Sequence, residues 1–320
     1  IGSHLVERLL LDGHRVTVID NCCCGSRDNL KEHPNLFFYK KDIRDLKDIE
    51  PHFNNIDWVF HLAALADIVP SINSPREYFE TNVDGTFNVL ECAKKNKVKR
   101  FIYSASSSCY GLPDTFPTKE EAKIAPEYPY ALTKYMGEEL VLHFAKVYHL
   151  PALSLRFFNV YGPRAKTNGA YGAVMGVFLA QKLNNKPFTV VGDGKQTRDF
   201  TFVTDIVAAL IAAVKAEVIG EVLNVGSGGH YSINELVKYL EGDVCFIPKR
   251  PKEPDCTFAD ISKIKNQLSW SPKVCFSKGI KLLLQEIDEF KMAPLWVEKS
   301  MEIATKEWFT CLSAEERTRL

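Results

Sequence analysis

Short apolar runs alternate along this chain with helical stretches, and that alternation restricts the fold more than any other feature. RVTVID (15–20), NLFFYK (35–40), DWVFHLAA (57–64), KRFIYSAS (99–106) and PALSLRFFN (151–159) are apolar or β-branched at consecutive positions. A strand apolar on both sides must be covered on both faces, as in a parallel sheet flanked by helices. Helical periodicity fills the intervals: 2–12, with Leu5, Val6 and Leu9 on its apolar side and Gly13 closing it, then 76–97 and 129–148. The pattern predicts an α/β fold, a Rossmann-type doubly wound parallel sheet, whose ligands collect at the carboxyl ends of the strands.

Polar and small residues gather at those ends. Asp20 and Asn21 follow the first run, Asp42 and Ile43 the second, and His61, Ala63 and Ala64 close the third. SASSSCYG, from Ser104 to Gly111, closes the fourth and Asn159 the fifth. A helix, then a strand ending in an acid about 20 residues after a glycine, is the second half of a dinucleotide-binding unit. The chain is therefore expected to begin inside a Gly-rich loop, with Gly2 its last glycine and a first strand of about ten residues ahead of it. In that reading the helix start faces a pyrophosphate and Asp20 accepts from a ribose diol. Asp20 reads equally well as a strand-end residue capping a turn, and the serine run as a solvated turn.

YPYALTK, from Tyr128 to Lys134, places Tyr130 and Lys134 four apart on one helix face. A neighbouring ammonium favours the phenolate, lowering a tyrosine from about 10 toward the range of a general base. The spacing also arises by chance in many helices, so its meaning depends on what surrounds it.

What surrounds it resembles a known family. IGSHL, VTVIDN, DIRD, HLAA, TNVDGT, YSASSSCYG, YPYALTK and LRFFNVYGPR, followed by GDGKQTRDFTFVTD, LNVGSG and RPKEPDCTFADISK, together resemble the extended short-chain dehydrogenase/reductases of the NAD-dependent epimerase/dehydratase family. The resemblance spans essentially the whole chain. It implies NAD as cofactor, touched by Gly2, Asp20, Asn21, Asp42, Ile43, Ala63, Ala64, Tyr130 and Lys134, with Asn82 in a helix backing the site. It implies Ser106, Tyr130 and Lys134 as catalytic residues, and Ser106, Asn159, Arg198, Arg250 and Thr257 as substrate contacts. The two arginines suit a diphosphate, because a guanidinium forks onto phosphate oxygens; the other reading makes them surface ion-pair residues.

The family's 4,6-dehydratases carry an Asp-Glu pair just after the catalytic hydroxyl residue, and its decarboxylases a glutamate at the second position. Ser107 and Ser108 stand there. Elimination needs an acid and a base beside the ketone, roles a serine fills poorly near neutral pH. The resemblance thus implies NAD-dependent 4-epimerisation of a UDP-hexose, UDP-glucose/UDP-galactose, through a transient 4-keto sugar. The alternatives are a nucleotide-sugar 4,6-dehydratase, a UDP-glucuronate decarboxylase, or a non-catalytic NAD-binding regulator. Thr257 occupies a position that the family varies between bulky and small, and a small residue leaves room for an N-acetyl group.

The expected organisation is a dinucleotide-binding domain, 1–161 with 199–226 returning to it, and a smaller, mostly helical C-terminal substrate-binding lobe, 162–198 and 227–320. In the latter, 168–186 reads as a substrate loop entering a helix. Thr204 reads as the N-cap of a helix starting at Asp205, and Trp296, Ala304 and Trp308 as the apolar stripe of a terminal helix. Nine cysteines without CxxC spacing suggest free thiols in a reducing compartment and no metal site. Forty acidic residues balance forty basic ones, which argues against a nucleic-acid or anionic-membrane partner. No apolar run approaches the roughly 20 residues of a bilayer span and no secretory leader opens the sequence, so the cytoplasm is the expected location. The resemblance also implies a homodimer pairing the helix of Tyr130 with the helix around residues 80 to 95.

Overall fold

The structure, a computed structural model, describes residues 1–165 and 174–313. Its elements follow the alternation: α1 (Gly2–Leu11), β1 (Val16–Ile19), β2 (Leu36–Tyr39), β3 (Trp58–His61), α2 (Gly85–Lys95), β4 (Arg100–Ser106), α3 (Pro129–Tyr148), β5 (Ala152–Phe157), α4 (Val203–Lys215), β6 (Val222–Val225) and α5 (Glu298–Leu312). Shorter pieces are named below by their residues. Strands β6, β5, β4 and β3 form one parallel sheet in that order, and β1 pairs with β2 in parallel register. No ladder joins β1 to β3 among the described residues.

Strand β4 is the middle of the core. Its alternate residues Phe101 and Tyr103 pack under α2 and α3, while Ile102 faces α1 and α4. All three are fully buried, each contributing about 1.5–3 kcal/mol of transfer free energy. Leu5, Val6 and Leu9 are the buried face of α1, which ends where Gly13 takes a φ of 84°. A second core joins the remaining lobe to Val69, Phe200 and Phe202. There the helix Val174–Leu183, the strand Phe188–Val191 and the helix Phe276–Gln285 enclose Phe178, Phe188 and Phe276.

Three expectations change. The predicted helix over 76–97 is interrupted by a π-helical turn, Glu80–Asp84, between Pro75–Phe79 and α2. The helix expected from Asp205 begins at Val203, which places Thr204 inside it; Asp205 instead accepts the Val274 backbone N–H at 2.9 Å. The terminal helix begins at Glu298, so Trp296 lies outside it, and its buried stripe is Met301, Thr305 and Trp308. Of the predicted substrate-loop segment, residues 168–173 lie outside the described residues.

Helix α3 lies unusually close to β4. A Cβ at Gly137 would stand 2.3 Å from the Tyr103 hydroxyl and 3.1 Å from the Asn82 carbonyl oxygen. That hydroxyl donates to the Lys134 carbonyl at 3.1 Å, so the approach fixes the register of the helix over the strand. Gly137→Ala gains about 1 kcal/mol of helix propensity but overpacks this contact. A net loss of about 1–3 kcal/mol is expected in chemical denaturation, with unchanged stability as the contrary result.

Candidate active site

Ser106 ends β4, and its hydroxyl accepts the Ser108 N–H at 3.2 Å, capping the short 3-10 turn Ser107–Tyr110. The Ser106 and Ser108 hydroxyls are 2.8 Å apart. Tyr130 sits in the first turn of α3, opened by Pro129, whose ring suits a first helical position. Burial raises the Tyr130 phenol above its ordinary value, interactions with the Ser106 and Ser108 hydroxyls draw it back in part, and the nearby Asp67 carboxylate opposes ionisation. Lys134 is one turn further on and 5% exposed. Burial lowers its ammonium to about 7, against a smaller raising influence of Glu138. The Lys134 Nζ lies 4.4 Å from the centroid of the Tyr103 ring, a cation–π distance. Among the described residues no hydrogen bond satisfies it.

The sequence reading of a lysine-stabilised phenolate therefore needs correction. Tyr130 and Lys134 do share a face, but the burial that brings them together raises the phenol and weakens the cation.

Asn82, on the π-helical turn, joins this helix to the end of β3. Its Oδ1 accepts the Leu65 N–H at 2.8 Å, while Nδ2 donates to the Leu65 carbonyl and to Thr133 Oγ1, both at 3.0 Å. Thr133 in turn donates to the Tyr130 carbonyl at 3.1 Å. The half-buried Ala63 and Ala64, which precede Leu65, are thereby held beside α3. Thr86 donates to the Asn82 carbonyl at 2.7 Å and so accepts from His61 Nε2, 2.8 Å away. Burial, helped by the Lys134 charge, pushes His61 down to about 3 and keeps the ring neutral.

The other expected cofactor residues line the ends of β1 and β2. Gly2 opens α1 opposite Leu62, at the end of β3. Asp20 Oδ1 accepts the Cys22 N–H at 2.7 Å, the turn-capping role read from sequence, and Oδ2 makes no hydrogen bond among the described residues. Asn21 donates to Asp42 at 2.9 Å. The Arg44 guanidinium holds the Asp42 carboxyl well below the usual range. Ile43 is buried against Gly85, where a Cβ would come within 2.6 Å of it. An exposed carboxylate with a spare oxygen and a buried ammonium seeking acceptors fit the two riboses of a dinucleotide.

The residues expected to meet substrate fall into two groups. Thr257 donates to Asn159 Oδ1 at 2.9 Å and accepts the Asp199 N–H at 3.2 Å. Arg198 meets Glu253 at 3.0 Å, and Arg250 approaches the other oxygen of that carboxylate at 3.8 Å. The Tyr128 ring lies 6.4 Å from that of Tyr130 and nearly parallel to it. A cleft of about 810 Å³ opens beside Arg250 and Glu253. Sequence reasoning missed Glu253, although it stands three residues after Arg250, and missed Asp199, a buried carboxylate binding Ser227 and Ala259.

Residues 1–226 match the profile of the NAD dependent epimerase/dehydratase family. The chain is 33% identical to the UDP-glucose 4-epimerase of Thermotoga maritima solved with UDP-glucose, over 90% of this chain and 95% of that one, with a TM-score of 0.85. It is 34% identical to the UDP-glucuronic acid 4-epimerase of Bacillus cereus in complex with UDP-glucuronic acid and NAD, over 90% and 96%, with a TM-score of 0.83. It is also 34% identical to a UDP-N-acetyl-alpha-D-glucosaminuronate decarboxylase of Bacillus cytotoxicus, over 91% of this chain and 95% of that one. No helix among the described residues is long and apolar enough to cross a membrane.

Lys134 gives the fold a pH signature. Its ammonium titrates at about 7 against an ordinary 10.5, so between those values the unfolded chain keeps a proton that the folded chain has released. The penalty of the buried charge is complete below that window, and stability rises with pH across it. Lys134→Met removes this dependence. Its stability relative to wild type is expected to be most favourable at about pH 6 and to fall toward about pH 10 in urea titrations; parallel curves would refute the assignment.

Proposed function

Because the chain belongs to the NAD-dependent epimerase/dehydratase family, we propose that it is a UDP-hexose 4-epimerase, interconverting UDP-glucose with UDP-galactose and accepting their N-acetylated counterparts. The observation that carries this reading is the pair of hydroxyls, Ser107 and Ser108, at the two positions after Ser106 where elimination chemistry needs carboxyls. The similarity to a decarboxylase keeps decarboxylation of a UDP-glucuronate as the second reading.

NAD, the family's cofactor, held by the residues named below, would supply the redox chemistry, a reversible hydride transfer with C4 of the sugar. Tyr130 takes the proton of the 4-hydroxyl as a transient 4-keto sugar forms, and gives it back on reduction. Ser106 orients the same oxygen. Lys134 holds ribose hydroxyls and places positive charge near the phenol when protonated. Asp20, Asn21, Asp42, Ile43 and Gly2 hold the adenosine end, and Ala63 and Ala64 line the path to Tyr130. Arg198 and Arg250 take the diphosphate, exchanging Glu253 for phosphate oxygens. In this reading 1–161 with 199–226 carries the cofactor and the rest the sugar nucleotide, the two parts sharing a core in which Val69, Phe200 and Phe202 pack with Phe178 and Phe276.

The proposed dimer uses the outer faces of α2 and α3. Phe87 and Leu132 are exposed there, beside a shallow concavity of about 640 Å³ lined by Val83, Tyr135, Met136 and Leu140. Leu132→Glu is expected to convert the wild-type dimer to monomer in light scattering; a monomeric wild type refutes the pairing.

Turnover of UDP-glucose, UDP-N-acetylglucosamine and UDP-glucuronate with NAD tests the activity. C4 epimers of the first two are expected from wild type, and Tyr130→Phe should lower kcat about 100-fold or more. A pentose product or a stable 4-keto sugar would overturn the epimerase reading. Thr257→Tyr should suppress the N-acetylated substrate selectively. Thr257→Val keeps the volume but loses the bond to Asn159, so an equal effect of both variants would trace selectivity to Asn159 rather than to bulk.

A further inference from the structure

The C-terminal helix reaches the cleft through one side chain. Trp308 is 3% exposed, with its Nε1–H donating to the Pro251 carbonyl at 2.8 Å. Its ring centroid lies 5.5 Å from the Arg250 guanidinium and 6.4 Å from the ring of Tyr128. Three segments distant in sequence therefore meet at one indole: the start of the catalytic helix, the loop bearing Arg250, and α5 itself. The next residue, Phe309, joins Arg250, Glu253, Leu112 and Phe116 in lining the 810 Å³ cleft, so α5 forms part of its wall.

An arginine carries about 2 kcal/mol of rotamer entropy, and a ligand that must order it binds more weakly. The indole removes much of that freedom in advance. Its face lies against the guanidinium, and its N–H fixes the carbonyl one residue beyond Arg250. Proline at 251 adds stiffness, because its φ is set by its ring. Tyr128, on the other side, connects the same indole to Tyr130.

We propose that Trp308 is a positioning residue for the substrate's diphosphate: it holds Arg250 in place at the cleft and keeps the cleft in register with the Tyr130 helix. This rests on the UDP-sugar reading above. It gives α5, which lies beyond the 226 residues of the family match, a part in recognition and not only in packing.

The test uses the NAD-loaded full chain and calorimetric titration with UDP, which binds without turnover. Trp308→Ala is expected to weaken UDP about tenfold while NAD affinity stays within about twofold of wild type. Trp308→Phe keeps a ring beneath the guanidinium and should recover most of the loss, and Arg250→Ala in the Trp308→Ala background should cost less than in wild type. Wild-type UDP affinity in folded Trp308→Ala overturns the proposal alone. Parallel losses of UDP and NAD affinity also overturn it, by showing a general structural role. Wild type that binds NAD but not UDP overturns the nucleotide-sugar reading and this proposal with it.

Discussion

The site depends on how closely one helix can lie on one strand. Glycine at 137 lets α3 settle onto the Tyr103 hydroxyl, and that contact sets where the preceding turn of the helix ends up relative to the end of β4. Lys134 is in that turn, Tyr130 one turn before it, and Ser106 at that strand end. The close approach also strips Lys134 of water, which is why the cation is weak and why an aromatic face, not a carboxylate, lies beneath it. Deeper in the same seam a carboxylate and a guanidinium are buried side by side. Glu138 and Arg156 meet at 2.5 Å, with Ser154 and Tyr110 satisfying further atoms. Removing one partner of such a pair leaves a buried charge, so the network fixes the relation of α3 to β5 and to the loop after Ser106.

Much of this was legible in the sequence, because two of its signals are local. Continuous apolar runs marked β3, β4 and β5 of the main sheet together with β1 and β2, and the i, i+4 spacing put Tyr130 and Lys134 on one face. The strand-end rule then drew Asp20, Asp42, Ala63 and Ser106 to one rim. What escaped was long-range. Asn82 holding Leu65 and Thr133 involves residues 17 and 51 positions away, and a helical pattern contains no sign of the π turn that presents it. Glu253 looks like one more charge in a polar loop until the fold folds that loop back onto Arg198, 55 positions earlier.

Electrostatics resisted the sequence for a different reason. A lysine one turn from a tyrosine promises a lowered phenol only if the lysine stays charged, and burial decides that. Helix ends failed by small amounts through similar competition: Asp205 and Thr204 suit a cap, yet the helix starts earlier at Val203 and Asp205 serves the Val274 backbone instead. The Trp296 stripe failed because spacing alone does not say where a helix begins.

The ion pairs around the cleft bear on how a charged ligand arrives. Each cation of the loop at its mouth already has a carboxylate: Lys249 has Asp255 at 2.5 Å, Arg250 has Glu253 at 3.8 Å, and Lys252 has Glu127 at 3.5 Å. With a chain of zero formal net charge, little field extends beyond a Debye length of about 8–10 Å. On the proposed nucleotide-sugar reading, the substrate's diphosphate diffuses in nearly unsteered, and attraction begins at contact, as guanidiniums trade one oxygen partner for another. Capture by such a mouth is governed by the rate of that exchange and changes little with ionic strength, whereas the bound state keeps the full strength of forked, desolvated hydrogen bonds.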